Sequence, residues 1–338
     1  MLLKPFGKTV GGGITSHVNI SFDNIASIKS LNAAWAKFSS GKKSRLDVST
    51  FQKRLKFNLN QLHYDLVSGQ YQHSAYTRFV IQDPKRREIH KASVRDRVVH
   101  QAIVAALEPV FERRFIFDSY SCRIGKGTHA GIKRLGKFLG QISKNNTQKV
   151  YALKCDVSQF FASVDHEILL GFIEEQICDE RVSSLLRTVL LSHSSETGRG
   201  IPLGNVTSQL FANIYLHEFD FFIKYCLREE FYLRYCDDFI ILSPNVIHLR
   251  LLIPVISAKL AALKLSLHPN KIVIRPYSQG IDFLGYVLRP NAITLRTKTK
   301  NRATRRVKES NLPSYMGICT HANAHHVSES FQNIAWGA

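Results

Sequence analysis

Apolar positions along the chain follow two different periods. Val48, Phe51, Leu55, Leu59, Leu62 and Leu66 recur at alternating steps of three and four, one face of a helix that ends at Gly69. A shorter helix is expected near 28–38. The rest of 1–45, with Gly11, Gly12 and Gly13 and scattered Ser and Lys, reads as a loose extension. Residues 79–101 form two strand-like pieces around the basic turn Lys85-Arg86-Arg87, and a helix follows to about Phe111. The Gly-rich basic loop Arg123-Ile124-Gly125-Lys126-Gly127 leads into another helix. A strand runs into Asp156, with helices expected over 166–178 and 180–192. Gly200-Ile201-Pro202-Leu203-Gly204 then opens a helix with Thr207 or Ser208 near its start. Buried strands over 231–235 and 239–242, a helix over 249–264, a strand over 272–275 and a strand pair turning at Gly285 complete the pattern. No long-period repeat interrupts it.

Two adjacent acids break one of the most apolar stretches. Tyr235-Cys236-Asp237-Asp238 lies between Phe231-Tyr232-Leu233-Arg234 and Phe239-Ile240-Ile241-Leu242. Such a pair in isolation more often marks a hairpin tip in solvent. Here the flanking strands are buried types, and neighbouring carboxylates repel and resist desolvation. Divalent cations remove both costs, and two Mg²⁺ bridged by aspartates stabilise the attacking and leaving oxygens of phosphoryl transfer. Asp156, at a strand end, joins Asp237 and Asp238 if the strands are neighbours. Phe161, five residues on, would then lie under the sugar of an incoming nucleotide.

Charge narrows the partner. The 338 residues carry 46 Lys+Arg against 26 Asp+Glu, a formal net charge of +20, which favours a polyanion such as nucleic acid. An anionic membrane surface is the competing reading, but no apolar run of about 18 residues exists to span a bilayer. The start, Met1-Leu2-Leu3-Lys4-Pro5-Phe6, lacks the apolar core of a secretory signal. Cys122, Cys155, Cys178, Cys226, Cys236 and Cys319 show no CxxC spacing, so reduced thiols in the cytoplasm are expected. His321, His325 and His326 near Cys319 fit no familiar metal spacing.

Taken together and in order over roughly 70–290, these stretches resemble reverse transcriptases of the bacterial, group II intron-like lineage. Residues 79–101 and 119–132 resemble the two fingers motifs, and the stretches around Asp156, 200–216 and 231–242 resemble polymerase motifs A, B and C. Lys271 falls in motif D, and Phe283-Leu284-Gly285-Tyr286 is similar to the primer grip. The resemblance implies an α+β right-hand polymerase fold with an antiparallel palm sheet backed by helices. It divides the chain into an N-terminal extension and helix (1–70), fingers with part of the palm (71–150), palm (151–290) and a basic helical thumb (291–338). Asp156, Asp237 and Asp238 become the metal-binding carboxylates, with Val157 beside them, for two Mg²⁺ or for Mn²⁺ in their place. Lys85, Arg87, Arg123, Phe160, Phe161, Leu203, Gly204, Gln209 and Lys271 become nucleotide-binding, with Phe161 the steric gate against a 2′-hydroxyl. Arg296, Lys298, Lys300, Arg302, Arg305 and Arg306 become duplex-gripping.

Two departures from the lineage refine this. Leu203 stands where most members have Gln, and Gln209 follows Ser208. That motif B resembles diversity-generating retroelement and stand-alone defence-associated reverse transcriptases. No RNase H, maturase or endonuclease domain is expected after the thumb. The expected activity is RNA-directed DNA synthesis that copies a structured non-coding RNA, in one type repeatedly into tandem-repeat cDNA, in anti-phage defence. Its partners would be that RNA, the RNA–cDNA duplex and dNTPs, without a membrane; an accessory protein is compatible but not implied. A diversity-generating retroelement enzyme is the alternative. A silent RNA-binding scaffold is more remote, since the carboxylates and gate aromatic are all present. An RNA-dependent RNA polymerase usually has an acid or small residue in place of Phe161 and Gly before the aspartates.

Overall fold

The short helix expected near 28–38 is present, and residues 23–26, read as part of a loose extension, form a helical turn with Ile25 and Ala26 buried. The computed structural model describes residues 20–82, 85–193 and 198–337. It begins with α1 (Asp23–Ala26), α2 (Ile28–Ser39), α3 (Leu46–Lys53) and α4 (Leu55–Val67). Ser27 caps α2 by accepting from the Ser30 N–H. The single helix expected across 48–66 is divided at Arg54, whose backbone leaves the helical region (φ −122°, ψ 33°). The division lets Val48 on one piece and Leu59, Leu62 and Leu66 on the other all reach the interior. The Gly11–Gly13 stretch lies outside the described residues.

Next come the hairpin β1 (Thr77–Ile81) and β2 (Arg87–Lys91), then α5 (Val94–Glu112) and α6 (Thr128–Ile142). Ser93 caps α5, and α2 packs along α5. After β3 (Tyr151–Asp156) come α7 (Phe160–Ser163), α8 (His166–Glu174), α9 (Glu180–Leu191) and α10 (Val206–Phe221), the last running into a π-helical turn at Phe222–Cys226. The second of these, expected to reach 178, stops at Glu174, and Asp179 begins the next helix as its cap. There follow β4 (Tyr232–Tyr235), β5 (Asp238–Ser243), α11 (Val246–Ala262), β6 (Val273–Pro276), β7 (Ile281–Phe283), β8 (Tyr286–Arg289), β9 (Ala292–Leu295), α12 (Thr297–Arg306), α13 (Leu312–Cys319) and α14 (His325–Trp336).

The central sheet has the order β4-β5-β3-β6, antiparallel throughout. Its central strands are covered on both faces, which is why they read as unbroken apolar runs. Alternation sorts them cleanly. Leu153, Cys155, Tyr232, Phe239 and Ile241 face the large core shared with α5 and α8 to α11. Ala152, Leu233, Ile240 and Leu242 face a second core with α6 and the β7-β8-β9 sheet. In that second core, α6 lies against the β7-β8 hairpin, with Gly131 beside Leu284 and Gly136 beside Leu288. A third cluster, built on Ala303, Val307, Leu312 and Phe331, holds α12 to α14 together. Among the described residues, no helix is long and apolar enough to cross a membrane.

Candidate active site

One acid and a pair distant from it in sequence meet at one end of the central sheet. Asp156, the last residue of β3, lies directly opposite Asp238, the first of β5. Register places Tyr235 opposite Asp238, so Cys236 and Asp237 form a two-residue turn. Cys236 takes the left-handed conformation (φ 56°) that such a turn demands. The Val157 N–H donates to the Asp237 carbonyl at 3.1 Å, tying the turn to the strand end it faces. Like charges directly opposed across a ladder are destabilising, and these are also poorly hydrated. Burial, and then the Asp156 charge, push Asp237 above the usual carboxylate range. Burial also pushes Asp238 up to about 6, with Asp156 and Asp237 adding to the rise and Lys154 opposing it. Lys271 donates to Asp156 Oδ1 at 2.6 Å. Hard oxygen donors, crowded until two of them resist ionising, are a set that a divalent cation would relieve.

The turn is held from behind by a buried arginine. Arg234 is 1% exposed, and every donor of its guanidinium is used. Nε and Nη2 donate to the two Asp220 carboxylate oxygens at 2.7 and 2.6 Å. Nη1 donates to Asn213 Oδ1 at 3.3 Å and to the Cys236 carbonyl at 3.0 Å, and Nη2 to Ser119 Oγ at 3.3 Å. The Tyr232 hydroxyl also donates to Asp220, at 2.6 Å. A charge in the middle of Phe231–Tyr235 was the visible signal of this network, and sequence reasoning missed it.

The hairpin carrying Lys85 and Arg87 leans on the loop before α10. The His90 N–H donates to the Leu203 carbonyl (3.0 Å), and Asn205 Nδ2 to the His90 carbonyl (2.9 Å). Gly204 (φ +106°) lies where an added Cβ would sit 2.7 Å from Ile89 Cγ2. Gly204→Ala is therefore expected to cost about 1–3 kcal/mol in urea unfolding; an unchanged midpoint would mean that this contact yields. Lys85 and Arg87 are exposed, as is Gln209 on the outer side of α10, while Ser208 turns inward and donates to the Pro202 carbonyl at 2.6 Å.

Several expected contacts need correction. Phe160 is buried against Tyr215 and Phe161, so its ring belongs to the core and cannot meet a nucleotide; Phe161 is the half-buried one. Arg123, expected near template or nucleotide, is committed to Glu112, with further bonds to the Ile116 and Ser119 carbonyls. Phe283 and Tyr286 are buried, and the Tyr286 hydroxyl donates to the Ile318 carbonyl, so only the Leu284-Gly285 turn presents a surface there. Arg296 is paired with Asp282. Lys298, Lys300, Arg305 and Arg306 line exposed positions of α12, and Arg302 is half-exposed. On α14, His325 and His326 each lie 3.4 Å from Glu329, all three exposed.

Residues 82–288 match the family described as reverse transcriptase (RNA-dependent DNA polymerase). The chain belongs to that family. Protein YkfC of Escherichia coli K12 is 28% identical over 281 residues, covering 70% of this chain and 72% of that protein. Nuclear intron maturase 4 of Arabidopsis thaliana is 30% identical over 195 residues, and the group II intron-encoded protein LtrA of Lactococcus lactis 28% over 145. The matches cover 54% and 41% of this chain but only 23% of each of those two proteins. Among solved structures, a Candida tropicalis telomerase aligns with a TM-score of 0.51 at 13% identity, covering 71% of this chain and 60% of that one. A Candida albicans telomerase gives 0.51 at 12% identity, over 78% and 53%. The reverse transcriptase chain thus has the right-hand polymerase fold, mixing helices with antiparallel sheet. Family membership implies divalent metal at the reaction centre, and the Asp156, Asp237 and Asp238 cluster is the oxygen-rich place that fits it.

Proposed function

We propose that this protein is a reverse transcriptase that copies an associated structured non-coding RNA into cDNA in bacterial anti-phage defence, in the repeated-copying form giving tandem repeats. The observation that carries the polymerase reading is the meeting of Asp156 with Asp237 and Asp238, where burial and neighbouring charge push Asp237 and Asp238 above the usual carboxylate range. Two Mg²⁺ bound there would neutralise charge on the attacking and leaving oxygens. The chain's own groups supply the positioning. Asp156, Asp237 and Asp238 would hold the ions, and Lys271 would exchange its bond to Asp156 for the departing pyrophosphate. Lys85 and Arg87 take the triphosphate, the Arg as a bidentate fork. Phe161 closes the space of a 2′-hydroxyl, Gln209 borders the nascent pair, and the Leu284-Gly285 turn supports the primer end. In this reading 71–150 are fingers with part of the palm, 151–290 palm and 291–338 thumb, with the exposed cations of α12 along the duplex.

The Ser208-Gln209 motif B supports an enzyme of the defence-associated or diversity-generating retroelement kind, and the net charge of +20 supports a nucleic-acid partner in either role. The test is to sequence nucleic acid that co-purifies from cells: one dominant small RNA, and its cDNA after infection, is expected. A template and variable repeat pair beside the gene would favour the retroelement reading instead. Phe161→Ala is expected to raise ribonucleotide incorporation by at least about tenfold, a modest steric discrimination. Unchanged dNTP selectivity in single-nucleotide extension would remove the gate assignment.

A further inference from the structure

Lys154 is a cation on the floor of the site that the foregoing uses only for its field at Asp238. It precedes Asp156 by two residues on β3, so both side chains leave the same face of the sheet, about 6.8 Å apart along the strand. That face looks toward the β7-β8 turn, not into the large core, because the intervening Cys155 takes the core side. Its ammonium donates to the Asp282 carbonyl at 3.2 Å and lies 5.9 Å from the Phe283 ring centre. The Asp282 carboxylate is itself taken by Arg296. Among the described residues, Lys154 has no carboxylate within 4.0 Å, and one of its three donors is used. A half-buried ammonium thus sits with two open donors between the metal-type carboxylates and the turn next to the primer end. A lysine serves there as a point charge for a phosphate.

We propose that Lys154 binds the last phosphodiester of the primer strand, so that the strand whose 3′ end reacts is held by charge from β3 as well as by the Leu284-Gly285 turn. The inference rests on the polymerase reading above. A salt-sensitive contact to a backbone phosphate carries no base preference, which suits an enzyme that must accept every primer terminus.

The test uses the full chain with a DNA primer on an RNA template. The primer carries either natural linkages or one neutral methylphosphonate, at the 3′-terminal linkage or five linkages upstream. Lys154→Met is expected to weaken binding of the natural primer about tenfold, the usual worth of a charged hydrogen bond. It should reduce the salt slope by about one and leave the dNTP KM unchanged. On the terminally neutral primer the substitution should make no further difference, and Lys154→Arg should restore most of the loss on the natural one. Equal losses on all three primers, or a raised dNTP KM with primer affinity intact, would overturn the assignment. If Lys154→Met fails to fold, the unmodified protein still decides: it must bind the terminally neutral primer about tenfold more weakly than the upstream-neutral one. Wild-type protein that binds primers but extends none of them would sink the polymerase reading and leave the binding comparison standing.

Discussion

Asp238→Asn yields a protein that is more stable without metal and inactive with it. Asp238 in the folded chain titrates at about 6 rather than the ordinary 3.8, because it is buried beside two other acids. Between about pH 4 and pH 6 the folded state therefore keeps a proton that the unfolded chain has released. Stability contributed by this group falls as pH rises through that window and stays at the lower level above it. Asparagine removes the penalty. In chelator at pH 7 the variant should exceed wild type by roughly 1–3 kcal/mol, and the gap should close below about pH 4. Divalent cation should also narrow the gap, since it stabilises only the ionised cluster. DNA synthesis should meanwhile fall by about 10³-fold or more. Urea melts of both proteins across pH 3.5–8, with and without Mg²⁺, read both signs. A variant less stable than wild type at pH 7 would mean that the carboxylates are not in conflict.

The largest loss of stability is expected at the support of the turn. Arg234→Met leaves the Asp220 carboxyl group fully buried and missing two charge-assisted hydrogen bonds, a change worth about 3–5 kcal/mol. The Arg234→Met/Asp220→Leu double variant should recover much of that, because removing both charges also removes their desolvation. Activity should not recover with it. The Cys236 carbonyl would still lack its donor and Ser119 its partner, so the turn bearing Asp237 would lose its fixed geometry. Calorimetry and primer extension on the three proteins separate the two roles. Stability and activity returning together would show that the guanidinium serves only the fold.

Much of this chemistry could be read from the chain because it depends on local patterns. The strands around Asp237 and Asp238 are apolar on both faces, and the Tyr235–Asp238 turn is short enough to be seen in four letters. The pairing of β3 with β5 was inferable only as a condition, since nothing local dictates which strands become neighbours. What stayed hidden depends on distant partners. Arg54 is a good helix former, so the division between α3 and α4 has no sequence signal; packing of both pieces imposes it. Phe160 and Phe161 are adjacent and chemically alike, and only the direction of the short helix they begin decides which is buried. Arg123 looked like a phosphate ligand until Glu112, one helix earlier, proved to hold it. Lys154 carried no local signal, because its importance lies in the open donors that its place between Asp156 and the β7-β8 turn leaves it.

Primer extension on an RNA template, with purified protein and the four dNTPs, is the most direct measurement. DNA product that requires Mg²⁺, vanishes with chelator and is absent from Asp156→Ala is the expected result. Extension that survives Asp156→Ala, or no extension of any primer by wild-type protein, would contradict the assignment of this cluster as a polymerase centre.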